Sequence, residues 1–185
     1  LFLNTTGVAN VAVGASALEN NTVGVYNNAF GHGALYNNTI GAYNTAVGYR
    51  SLYLNTTGTR NVAVGYEALL TNSTNNDLTA VGYNALTANT TSSDNTAVGA
   101  NALAGNTGGT RNTAFGTRTL QIPNGESDNC AFGYQALSAN VNGGERNTAI
   151  GTSALDALTS ADDSVGVGYH ALGGMTSGAN CTALG

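Results

Sequence analysis

Apolar positions in this chain return at a fixed interval that matches neither a helix nor one long strand. An apolar residue followed by glycine recurs at Gly14, Gly31, Gly48, Gly65, Gly82, Gly99, Gly116, Gly133, Gly151, Gly168 and Gly185. Nine of the ten intervals are 17 residues and one is 18. The long interval, Gly133 to Gly151, holds its extra residue in the turn-rich stretch 139–146, where an insertion is tolerated. A fixed period of this kind decides the fold before any local propensity is weighed.

With the glycines aligned, the residue before each is Val13, Phe30, Val47, Val64, Val81, Val98, Phe115, Phe132, Ile150, Val167 and Leu184, apolar every time. This column is expected to be buried. Ala stands two before the glycine in ten of eleven repeats, with Gly166 the exception. Four after it, Leu18, Leu35, Leu52, Leu69, Leu86, Leu103, Leu120, Leu137, Leu155 and Leu172 form a ladder without a break. Asn opens most units, as at Asn10, Asn27, Asn44, Asn61, Asn95, Asn112, Asn129 and Asn147.

A unit of this size is too short for two packed helices, whose tandem repeats run to about 33 residues or more. Frequent Gly and Asn oppose helix as well. The segment Thr-Ala-Val-Gly-Tyr instead alternates at the two-residue strand period, and the stretch after Leu has the residues of turns. The pattern predicts an all-β parallel β-solenoid, or β-roll, of about eleven 17-residue coils, each a short strand, a bend at glycine and a loop back. Coils stacked about 4.8 Å apart give a rod of roughly 50 Å. The alternation leaves apolar side chains on both strand faces, and parity alone does not say which faces inward. Burying both sets calls for several parallel rods about one axis.

The units Asn44-Thr45-Ala46-Val47-Gly48 and Asn147-Thr148-Ala149-Ile150-Gly151 resemble the head repeats of trimeric autotransporter adhesins. Similar units occur in phage tail fibres. The resemblance covers essentially the whole chain. It implies a left-handed roll, assembly as a parallel homotrimer, a place on a cell or virion surface outside the cell, and attachment to a surface receptor or glycan. The coil of 17 residues is longer than the unit of the familiar heads, and the Ala-Leu pair is an added feature. Residues 1–185 read as a single solenoid domain cut from a longer array, since both ends fall inside a repeat.

Composition narrows the function classes. Five basic residues against ten acidic ones, net charge −5, do not make a phosphate-binding surface, so no nucleic-acid partner is expected. No apolar run is long enough to insert in a bilayer. Charged residues are only 8% of the chain. His32 and His170 lie eight coils apart and form no dyad. Cys130 and Cys181 lie three coils apart, beyond disulfide reach, and are expected to be free thiols. No Ser-His-Asp set shares a level of the rod and no phosphate loop is present. The chain is therefore read as no enzyme, with no catalytic, cofactor-binding or metal residues and no cofactor.

Twelve residues after each glycine the charges line up as Arg60, Asp77, Asp94, Arg111, Asp128, Glu145 and Asp163. Arg60 is expected to pair with Asp77, and Arg111 with Asp94 and Asp128. A cation between Asp77 and Asp94, or near Asp128 and Glu145, would have only two carboxylates, few for calcium. Tyr26 and Tyr43 occupy this column in the first coils and are expected to stack. The position two after glycine varies (Ser16, Arg50, Glu67, Asn84, Arg118, His170) and marks an outward face. The sequons at Asn55, Asn72 and Asn89 follow from turn composition. An ice-binding face is suggested by Thr45, Thr79, Thr96, Thr113, Thr148 and Thr182, but Val11, Asn28, Val62, Cys130 and Val165 interrupt it. A polysaccharide depolymerase would need a carboxylate pair, and the acids cluster at one corner.

Overall fold

The computed structural model of the chain describes residues 1–121, 124–139 and 144–185. Among these, eleven strands of three residues stack in sequence order into one parallel sheet. They are β1 (Val11–Val13), β2 (Asn28–Phe30), β3 (Thr45–Val47), β4 (Val62–Val64), β5 (Thr79–Val81), β6 (Thr96–Val98), β7 (Thr113–Phe115), β8 (Cys130–Phe132), β9 (Thr148–Ile150), β10 (Val165–Val167) and β11 (Thr182–Leu184). Register is like on like throughout, with Ala46 opposite Ala29 and Ala63, and Phe115 opposite Phe132. The solenoid is thus as the repeat predicts. Among the described residues no helix is long and apolar enough to cross a membrane.

The bends are made by left-handed backbone. Each strand is followed by a glycine at positive φ, 133° at Gly65. A Cβ on Gly65 would lie 2.4 Å from the Gly82 carbonyl oxygen one coil along, so side chains are excluded from this column. Three further residues per coil turn left-handed, such as Arg50 (φ 52°), Leu52 (φ 50°) and Arg60 (φ 58°). A left-handed leucine costs about 1–2 kcal/mol. Burying its side chain returns about 1.5–3 kcal/mol, enough to hold the turn. Leu18, Leu35, Leu52, Leu69, Leu86, Leu103, Leu120, Leu137 and Leu155 are all fully buried.

The coil interior is lined by the Leu ladder, the Ala that precedes it in most coils (Ser51 and Thr119 in two) and the middle Ala of the strands, with Gly166 in its place in β10. Because the middle Ala points inward, its neighbours on either side point outward. The column before the glycine is therefore not buried within the chain, contrary to the sequence expectation. Val13, Phe30, Val47, Phe115, Phe132 and Ile150 are all exposed.

Two columns of buried asparagine complete the interior. In the first, Asn44 donates from Nδ2 to the Gly58 carbonyl at 2.8 Å, and its Oδ1 accepts from the Asn61 amide at 3.0 Å. Asn27, Asn95, Asn112, Asn129 and Asn147 repeat both contacts. In the second, the amide of Asn38 donates to Asn21 Oδ1 at 2.8 Å and to the Gly41 carbonyl at 2.9 Å. Asn55, Asn72, Asn89 and Asn106 continue the line. A side chain on Gly41 would sit 2.3 Å from Asn38 Oδ1, so glycine is what lets the amides close over the turn. Main-chain turns that a small coil would otherwise bury unpaired are satisfied in this way.

Candidate functional site

With the interior filled by Ala, Leu and Asn, three outward surfaces stand out beside the exposed turns. The first is the outer face of the sheet. It carries the half-exposed column Val11, Asn28, Thr45, Val62, Thr79, Thr96, Thr113, Cys130, Thr148, Val165 and Thr182 beside the Val, Phe, Ile and Leu column that precedes the glycines. No charged residue stands in either column. The apolar column is 36% exposed at Val47, 49% at Phe132 and 54% at Val13, and unlike scattered surface apolar residues it is continuous from β1 to β11. Phe115 and Phe132 stack with centroids 4.6 Å apart.

The second surface is aromatic. Just past the glycines, His32, Tyr49, Tyr66 and Tyr83 stack in a row with centroids 5.4, 5.1 and 5.3 Å apart. Tyr36 stacks on Tyr53 at 5.0 Å, and the Arg50 guanidinium lies 5.0 Å from the Tyr53 ring and 5.4 Å from that of Tyr49. Shielding from water pushes the Tyr66 phenol above the ordinary tyrosine range, with the Glu67 carboxylate adding to it. Tyr26 and Tyr43 stack at 5.2 Å on another corner, as the sequence predicts. Because coil spacing sets ring spacing, ring faces inside each row are covered by their neighbours, and only their edges face solvent.

The third surface is the charged corner. Arg60 forms a paired contact with Asp77 at 2.7 and 2.8 Å, and Arg111 with Asp128 at 2.6 and 2.8 Å. Each arginine holds its partner's carboxyl below the usual carboxylate range through the direct hydrogen bond. Arg111 turns to Asp128 rather than bridging to Asp94. The C-terminal end of the predicted column needs a correction. Arg146, not Glu145, stands level with Asp163, which it contacts at 2.7 Å through Nε. The amide of Glu145 meets Asp162 one coil on, one position earlier in the coil. The extra residue of the long repeat precedes this corner, so counting from Gly133 lands one short; residues 140–143 of that stretch lie outside the described residues. Arg146 also reaches Glu145 at 3.1 Å and Asp162 at 3.4 Å.

Asp77 is committed to Arg60, and among the described residues no group of three or more His, Cys, Asp or Glu is set to hold a metal ion. His32 belongs to the aromatic row, while exposed His170 meets the edge of Tyr169 at 4.7 Å. Cys130 and Cys181 are free and half-buried, the first between Thr113 and Thr148 in the strand column. Asn55, Asn72 and Asn89 are fully buried in the amide ladder, so the sequons are closed in the folded chain. The varying position two after glycine is only half outward: Arg118 and His170 are exposed, but Arg50, Glu67 and Asn84 are half-buried and Ser153 is buried. The amide ladders were the feature missed by sequence reasoning. Their signal was an Asn column persisting at the coil period where a solvated turn would accept any polar residue.

No family model, curated protein or solved structure matches the chain.

Proposed function

We propose that this chain is a structural rod segment of an extracellular fibre, three parallel copies of which bury their outer sheet faces against one another to space or display an attachment surface. The observation that carries the reading is the uninterrupted, uncharged apolar column outside the strands. A solitary rod gains nothing by keeping Val, Phe, Ile or Leu there in every repeat, whereas covering the exposed half of each such side chain adds about 1 kcal/mol. The face is roughly 50 Å long and 10–15 Å wide. That gives on the order of 500–750 Å² per chain, approaching the ~800 Å² per partner of a stable interface. Like copies fit because the ladder repeats at the spacing of an identical ladder beside it. The charged corner and the turn surfaces stay outside for a cell-surface or glycan contact. The number three, and the attachment role in a surface adhesin or a tail fibre, rest on the resemblance of the repeat units.

Sedimentation equilibrium of the purified chain tests this. A mass three times the 18.5 kDa of one chain is expected. A monomer that persists as concentration rises would remove the self-association on which the reading depends.

A further inference from the structure

Seven of the nine tyrosines stand one coil from another tyrosine, in the pairs Tyr26–Tyr43 and Tyr36–Tyr53 and the row Tyr49–Tyr66–Tyr83. Their centroids are 5.0–5.3 Å apart and their planes within 17° of parallel. The other two, Tyr134 and Tyr169, have threonine at the matching place in neighbouring coils, Thr117 and Thr152. The solenoid has therefore set most of its phenols in ring-to-ring contact while leaving two alone in the same chain. Tyr26 and Tyr43 are 50% and 58% exposed, so an oxidant in solution reaches them.

We propose that these ladders are sites of oxidative tyrosine coupling, in which a one-electron oxidant such as a haem peroxidase using hydrogen peroxide staples successive coils together. Each phenol of a pair gives up one electron and one proton, leaving two phenoxyl radicals. The radicals join through the ring carbons next to their oxygens, forming one carbon–carbon bond. The hydrogen on each joined carbon then moves to its oxygen, restoring two phenols. The two electrons and two protons reduce one hydrogen peroxide to two waters, and the protein loses two hydrogen atoms. Holding both rings in contact makes the coupling intramolecular, and the effective concentrations reached in that way exceed any attainable between chains. The stacked rings must tilt edge to edge to bring the carbons together; Tyr49, Tyr66 and Tyr83 are exposed like Tyr26 and Tyr43, and Tyr36 and Tyr53 are half-buried. The inference does not depend on self-association, because each pair lies within one chain.

The test is treatment of the dilute folded chain with horseradish-type peroxidase and limiting hydrogen peroxide. Dityrosine fluorescence, denaturing gel mass and tandem mass spectrometry of tryptic peptides are then read. All five basic residues are arginine, so trypsin separates residues 1–50, 51–60 and 61–111. A link between 1–50 and 51–60 through Tyr36–Tyr53, and one between 1–50 and 61–111 through Tyr49–Tyr66, are expected at single-chain mass. Ladder tyrosines should couple about tenfold or more over Tyr134 and Tyr169. Tyr36→Phe, which keeps the ring stack, should abolish the first link and spare the second. Equal coupling of Tyr134 and Tyr169, the same link pattern from urea-unfolded chain, or absence of both links would overturn the proposal.

Discussion

Replacing Asn44 by alanine tests whether the buried amides hold the coils together. Asn44 is fully buried and makes three side-chain hydrogen bonds, to the Gly58 carbonyl, to Asn27 Oδ1 and from the Asn61 amide. After Asn44→Ala the Gly58 oxygen still accepts from Asn55, and Asn27 Oδ1 still accepts from the main-chain amide of residue 44. The Asn61 amide loses its acceptor in a dry interior. An orphaned buried donor costs about 1–3 kcal/mol, and the two other lost bonds about 0.5–1.5 kcal/mol each, so a loss near 3 kcal/mol is expected. Urea unfolding followed by tyrosine fluorescence, the chain having no tryptophan, measures it. With a slope of about 2 kcal/mol per molar urea, the midpoint should fall by about 1.5 M. Asn44→Asp keeps the acceptor but sets carboxylate oxygens against the Gly58 and Asn27 oxygens. The buried acid is expected to titrate above its unfolded value, so its penalty is present above that value and relieved as pH falls. A midpoint shift below about 0.3 M for Asn44→Ala would refute the reasoning, because a solvated turn asparagine costs that little.

Further expectations follow from the same geometry. Gly65→Ala forces a Cβ against the next coil at left-handed φ and should cost about 3 kcal/mol or more, whereas Gly174→Ala, with open space around it, should stay within about 0.5 kcal/mol in the same assay. Asp77, Asp128 and Asp163 titrate below their unfolded values, so their pairs stabilise the fold above about pH 4 and cease to do so as pH falls through the lowered folded values. The pairs lie on the exposed surface, so the melting temperature should drop only slightly in acid, and the drop should shrink in molar salt. Val64→Glu combined with Val98→Glu places charge on the outer sheet face alone. It should yield monomers in sedimentation with an unchanged circular dichroism spectrum, and a persisting oligomer would place the seam elsewhere.

How far the chain could be read without coordinates depended on whether a position's role is set by its period or by its direction. The glycine period located all eleven strands, each ending at the residue before a glycine, and the constant Leu and Ala columns marked the interior. Direction was harder. Val47 and Ala46 are both apolar, and nothing in their identities says which one points in. The answer comes from left-handed turns at Arg50 and Leu52, residues that carry no glycine-like signature. Asn44 and Asn55 look like turn residues because asparagine favours turns; they do sit at turns, but with their amides turned inward to serve the main chain. The slip from Arg146 to Glu145 shows the limit of counting through an insertion. A surface such as the Tyr36–Tyr53 pair is legible only once coils are known to stack like on like.

That stacking is the claim on which every other statement depends, and distances between equivalent positions measure it directly. Spin labels at cysteines replacing exposed Val23 with Thr91, or Val23 with Ser160, each nine residues after a glycine, lie four and eight coils apart. With Cys130 and Cys181 replaced by serine and labelled chains diluted in unlabelled ones, pulsed dipolar spectroscopy should give about 19 Å and about 38 Å, doubling with coil number. Distances that fail to double, or a spread as broad as that of an unfolded chain, would contradict the stacked solenoid and the proposed fibre role built on it.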